Sequence, residues 1–360
     1  MRNIFSLRFL SSLFAVLFIS IGTLSAQAEN DSNKTSNSEP KEEKFNAGKF
    51  IINHVTDKYE WHIAGTEEDP ISIPLPLILY SKETGLNIFL SSNFEHGKAE
   101  YKGYKLDAEG HLMREDGAKF YDFSITKAVA GILLASFLVL IIFISVARSY
   151  AKRQGMAPKG MQSFLEPLIL FVRDDIAKAS IGTKHYARFT PLLLSFFFFI
   201  FISNFIGLIP SFPGVMGNIS VAFSLALIVL IITLFIGNKH YWGHILWMPG
   251  VPAWVKIFLL TPIELIGVIQ RPFVLMIRIF ANIAAGHIVI LSFVCLIFVF
   301  GDSGLKPGAG WGFSPVSMAF ALFMNAMELL VAFLQAYVFT LLTAMYIGTC
   351  LEEPHHAESH

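Results

Sequence analysis

Charged and amide side chains stand inside two long stretches of sequence that are otherwise apolar. Residues 254–300 carry Glu264, Arg271, Arg278, Asn282 and His287, and residues 313–351 carry Asn325, Glu328 and Gln335. In hydrocarbon an ionisable group costs on the order of 2.5–3.5 kcal/mol at mid-membrane, so such groups are functional candidates by default. Glu264, Arg271 and Arg278 recur every seven residues and fall on one slowly drifting helical stripe, which Asn282 continues four residues later. His287, nine residues past Arg278, points to roughly the opposite side of the helix. If the two stretches are antiparallel helices with Arg278 and Gln335 level, His287 lies about 13 Å and Glu328 about 10 Å to one side. Glu264 then lies about 21 Å to the other. A histidine and a glutamate at similar depth could form a proton-carrying pair, because histidine titrates near neutral pH. The chemistry on offer is a fixed cation with a titratable group on each side of it.

A purely structural reading has these groups tying helices together. Interhelical polar bonds average about 0.6 kcal/mol in one measured case, too little to repay burying so many charges. For Glu264 and Arg271, nearer a membrane face, snorkelling side chains account for the sequence equally well.

The elements that must position these residues follow from composition and punctuation. The chain has 360 residues, 54% hydrophobic and only 15% charged, whereas a soluble domain carries about 25% charge. The main solvent is therefore lipid. Net charge is zero, so no global field favours nucleic acid. The two cysteines, Cys295 and Cys350, sit in apolar stretches and support neither a disulfide framework nor a zinc site. No phosphate-cradling Gly-Lys-Ser/Thr loop is present, so the chain should not itself bind ATP, and no cofactor is implied. Ser, Asp and His do not cluster as a nucleophile would need, which argues against an intramembrane enzyme.

Arg2 and Arg8, an apolar run over 9–24 and the small-residue pattern Ala26-Gln27-Ala28 predict a signal peptide at 1–28, or else an uncleaved first membrane helix. Residues 29–44 are polar and read as a flexible tether. Residues 45–123 hold short β-branched and aromatic runs at 71–80, 86–91, 101–106 and 120–125 between Gly, Asn and Asp breakers. They predict a small, mostly β cap. Its histidines, His54, His62, His96 and His111, have no metal-ligand spacing and read as surface residues.

Residues 124–353 form the membrane unit, and 354–360 a tail. Spans are expected at 125–146, 189–209 and 218–236, each near the ~20 residues a bilayer requires. Between the first two, a helix beginning at Pro167 should lie on the surface, with Leu168, Val172, Ile176 and Ala179 on its apolar face. The two long stretches, at roughly 60–70 Å each as helices, are about twice the hydrocarbon thickness. Neither middle has the Pro/Gly chemistry of a hairpin turn. Each therefore predicts one strongly tilted helix. The fold expected is an all-α polytopic membrane protein with five transmembrane helices, one amphipathic surface helix and an extracytoplasmic β cap. Arg148, Lys152, Arg153, Lys239 and Lys256 lie in the connections that the positive-inside rule assigns to the cytoplasm, which puts the cap outside and Glu352-Glu353 inside.

The run QRPFVLMIRIFANIAAGH at 270–287 closely resembles the signature of subunit a of bacterial F-type ATP synthases. SNFIGLIP at 203–210, Glu166-Pro167, and LQAYVF at 334–339 with Glu352-Glu353 fit the same family in order and spacing. The resemblance implies an inner-membrane stator, providing two offset half-channels against a rotating ring of c subunits and coupling proton flow to ATP synthesis. Its implied partners are the c-ring, the peripheral-stalk b subunits and the rest of the synthase. Arg278 matches the essential arginine. Asn204, Asn282, His287, Glu328 and Gln335 match polar positions near the outer half-channel or the rotor face, and Glu264 an acidic position toward the inner one. Where many relatives carry an acid after the second-span asparagine, this chain has Gly207. The resemblance does not reach the cap. The competing class is a self-contained ion channel or secondary transporter, which would gather its polar residues in an internal site, often between inverted repeats. No internal repeat is visible here.

Overall fold

The computed structural model describes residue 48 and residues 56–351, with breaks at 66–69, 98, 108–109, 153–155, 210–211, 247–251 and 302–306. The expected signal peptide, the tether and the tail lie outside the described residues.

Prolines set the edges of the N-terminal β unit. The run 71–80, expected as one strand, is two: β2 (Pro70–Pro74) and β3 (Pro76–Ser81). Pro74 and Pro76 have no N–H to give a ladder. Leu75 between them donates its N–H to Ser91 Oγ at 3.0 Å instead. β2 pairs antiparallel with β1 (Glu60–Gly65), a strand the sequence reading passed over. β3 lies between β4 (Gly85–Leu90) and β7 (Phe120–Asp122), and β5 (Tyr104–Leu106) with β6 (Leu112–Arg114) makes a separate ribbon. Leu77, Leu79, Phe89, Phe94, Tyr104 and Leu112 close a small apolar core between them. His111 is exposed, with Nδ1 3.6 Å from Asp107, and His62 is half-buried. His54 and the side chain of His96 are outside the described set.

Among the described residues, five helices are long and apolar enough to cross a membrane. They are α1 (Lys127–Lys152), α3 (Tyr186–Gly207), α4 (Ile219–Ile236), α6 (Thr261–Phe300) and α7 (Pro307–Leu351). α3 is the hub: its Phe196, Phe197, Phe198 and Ile200 are almost wholly buried, in one cluster with residues of α1, α4, α6 and α7. Asn218 starts α4, its side-chain oxygen accepting from Ser220 N–H at 2.9 Å.

The amphipathic element differs from expectation at both ends. α2 runs Met161–Leu170, so Pro167 lies inside the helix rather than at its start. A π-helical stretch, Phe171–Lys178, and a last turn, Ala179–Ile181, follow. Val172 and Ile176 are buried as expected, but Ala179 is exposed while Ala177 and Ile181 take the buried face. The wider π turn advances the face by about one residue, which a fixed 3.6-residue period misses. A short helix, α5 (Lys239–Leu246), adds an element the sequence reading lacked.

The two long stretches are indeed single helices, of 40 and 45 residues. At about 60 and 68 Å they exceed the hydrocarbon thickness of roughly 30 Å about twofold, so they can span it only when steeply slanted. They pack antiparallel. Gly301 meets Gly310, Ser317 Oγ donates to the Phe293 carbonyl, Gly286 meets Glu328, and the Arg271 guanidinium lies 5.7 Å above the Tyr346 ring. These contacts drift by a few residues along the pair and place Arg278 opposite α7 within about one turn of Gln335.

Candidate functional site

Helical periodicity divides α6 into two faces. Leu275, Met276, Ile279 and Ile283 are buried in the main core. Arg278 and Asn282 are exposed, among the exposed apolar residues Phe273, Val274 and Ile277. None of the ion pairs among the described residues includes Arg278. A guanidinium is always charged, so α6 presents a permanent cation on an apolar, unpartnered flank.

On the other side of the helix pair, a small polar-lined cavity opens between α3, α6, α7 and the turn over 212–218. Asn204 and Ser203 of α3, His287 of α6 and Glu328 of α7 all line it. The histidine and glutamate that the sequence put at similar depth thus reach one space. Glu328 is only 7% exposed, and its Oε2 has no hydrogen-bond partner among the described residues. It lies against Gly286, the residue before His287.

From Glu328 a polar line continues along the buried face of α7. One turn on, the Ala332 carbonyl accepts from Asn204 Nδ2 at 3.5 Å, while Asn204 Oδ1 is left without a protein partner. One turn further, Gln335 is 3% exposed and its Oε1 is likewise unpartnered. Buried polar atoms without partners are rare because each costs about 1–3 kcal/mol when dry. Two of the three, on Glu328 and Gln335, stand about 10 Å apart along α7, and Asn204 of α3 faces the turn between them. The line ends within about one turn of the depth of Arg278.

Glu264 does not join this group. It is half-buried in the first turn of α6. Nearby, burial and the neighbouring Cys350 push the phenol of Tyr241 up to about 12, and the charges of Arg271 and Glu264 also act on it. Asn325 is half-buried, one turn from Glu328. Sequence spacing missed three cavity residues, Asp57, Lys127 and Ser203. Of these only Lys127 had a signal, as a lone cation at the start of an apolar span.

Five helices long enough to span a bilayer, a polar cavity between them and an exposed cation on the flank of the long pair define a polytopic membrane protein with ionisable groups inside its spans. Residues 130–348 match the family described as ATP synthase A chain, and residues 50–129 match a domain of unknown function. ATP synthase subunit a of Chloroherpeton thalassium is 39% identical over 277 residues, covering 71% of this chain and 80% of the relative. ATP synthase subunit a 2 of Chlorobaculum tepidum is 39% identical over 258 residues, 70% of this chain and 69% of the relative. ATP synthase subunit a of Chlorobium phaeobacteroides is 36% identical over 244 residues, 66% and 68% respectively. The chain belongs to the ATP synthase subunit a family. As such it is a non-catalytic, proton-translocating stator subunit of the membrane sector of F-type ATP synthase, a multi-pass inner-membrane protein.

Proposed function

We propose that protons enter by the cavity holding His287 and Glu328, pass Asn204 and Gln335, and reach a rotor carboxylate beside Arg278. The observation that carries this reading is the row of buried oxygens on Asn204, Glu328 and Gln335, unpartnered among the described residues, ending within about a turn of an exposed arginine. The slanted flank of α6 and α7 lies against the c-ring, with Asn282 and Arg278 on the rotor side. The b subunits contact the stator elsewhere. The exported cap (45–123) faces outward and follows a leader (1–28) and tether (29–44). The membrane unit (124–353) ends in a cytoplasmic tail.

A protonated rotor carboxyl can turn into lipid, which an ionised one could not do cheaply. After nearly a full rotation it meets an inner half-channel marked by Glu264 and releases its proton. Arg278 favours the ionised carboxylate at the stator, and its fixed charge blocks a direct leak between the two half-channels. Each charge that crosses productively is worth about 2.3 kcal/mol per 100 mV, all of it lost in a leak. The test is proton pumping by inverted vesicles carrying His287→Ala or Glu328→Ala. Each variant should be impaired. Native pumping in both would put the outer pathway elsewhere.

A further inference from the structure

The β cap reaches into the same cavity. Asp57, just ahead of β1, lines it together with Lys127, the first residue of α1. Asp57 is seated by contacts to two membrane elements. Ala128 N–H donates to Oδ1 at 3.0 Å, and Asn218 Nδ2 donates to Oδ2 at 3.4 Å. The Lys127 N–H donates to the Lys58 carbonyl at 2.9 Å, and Trp61 sets its ring edge-on to Phe212 at 5.3 Å. The cap is therefore pinned over the cavity rim at Asp57 and just after it. Lys127 lies within electrostatic reach of both Asp57 and His287.

We infer that Asp57 is the proton-accepting group at the mouth of the outer pathway, held there by the cap and handing protons on toward His287 and Glu328. This rests on the pathway proposed above. Apart from Asp57 and Lys127, the mouth is built largely from the turn over 212–217, whose side chains do not titrate. A proton arriving from outside water finds in Asp57 a carboxyl between solvent and His287. Burial holds this carboxyl above the usual carboxylate range, against the opposing pull of hydrogen bonds from Ala128, Thr126 and Lys58 and of the Lys127 charge. It therefore exchanges protons closer to neutral pH than a surface aspartate does. The groups facing it are Lys58 and Tyr59 of the cap, Thr126 and Lys127 leading into α1, and Asn218 of α4, with His287 and Glu328 across the cavity. A role confined to capping α1 needs only Oδ1.

Asp57→Asn separates the two roles, because it keeps an acceptor for Ala128 N–H but cannot titrate. The whole synthase, reconstituted in liposomes and stripped of its catalytic head, is assayed for passive proton flux across a range of outer pH. Asp57→Asn should assemble normally and cut the flux by about tenfold, the low end of what a lost acid–base group costs. It should also flatten the pH profile, and Asp57→Glu should restore most of the flux. Native flux and profile in Asp57→Asn, while Glu328→Gln is impaired, overturns the assignment of Asp57 alone. Loss of assembly in Asp57→Asn and Asp57→Ala alike makes the residue a structural tie and also overturns it. Native flux in Asp57→Asn, Glu328→Gln and His287→Ala together overturns the pathway as well.

Discussion

Glu328 occupies the space that a side chain at position 286 would need: a Cβ on Gly286 would stand 3.2 Å from both its Cδ and its Oε1. The glycine brings the two long helices close enough to hold the carboxylate at the cavity wall. The neighbour to be moved is the end of a flexible side chain, so a methyl group asks for a shift of only a few tenths of an ångström. Gly286→Ala should retain most pumping. Gly286→Val should drive the carboxylate out of place and cost on the order of ten- to a hundredfold in proton transfer rate, as misplaced reacting groups do. ATP-driven acidification of inverted vesicles, normalised to subunit content, checks both. Equal activity in the two variants would mean that the Glu328 position is not constrained.

A second close approach has no such freedom. In α7, a Cβ on Gly348 would collide with the backbone carbonyl oxygen of Ser180, in the last turn after the π-helical stretch. Backbone cannot swing aside as a carboxylate can. Gly348→Ala should therefore separate α7 from the amphipathic element and destabilise the subunit by about 1–3 kcal/mol, the usual cost of overpacking. The thermal midpoint of the detergent-solubilised complex should fall. An unchanged midpoint would show that this contact is looser than the geometry says.

In the cap, Arg114 is the electrostatic anchor. Its guanidinium reaches Glu83 at 2.8 Å, Asp116 at 2.7 Å and Ser81 Oγ at 2.6 Å, with only 8% of the side chain exposed. Glu83 and Asp116 are far more exposed and can return to water when the arginine is lost. Arg114→Met should thus cost about 1.5–3 kcal/mol, the range for a hydrogen bond to a charged group. It should raise the protease sensitivity of the cap in the intact complex without changing how much complex assembles. Native resistance to digestion would show that β6 is held by packing alone.

The parts legible in the sequence were those set by chain-local physics. The five spans are bounded by charges, and the two long helices could be read as unbroken because nothing in their middles makes a turn. Their register was assumed, with Arg278 level with Gln335; rise per residue then put His287 and Glu328 at similar depth, and one cavity holds both. What escaped depended on geometry that a fixed period ignores or on distant contacts. The π-helical stretch rotated the amphipathic face from Ala179 to Ala177 and Ile181. Pro167, tolerated inside a helix, looked like a helix start. Paired prolines around Leu75 split one expected strand into two. Asp57 carried no local signal at all, because only the folded cap brings it beside Lys127 and the cavity.

The central claim concerns Arg278, the exposed cation at the end of the buried polar line. Coupled ATP synthesis by membrane vesicles energised with an imposed proton gradient tests it most directly. Arg278→Ala should abolish synthesis while the catalytic head continues to hydrolyse ATP. Coupled synthesis at the native rate in Arg278→Ala would contradict the account.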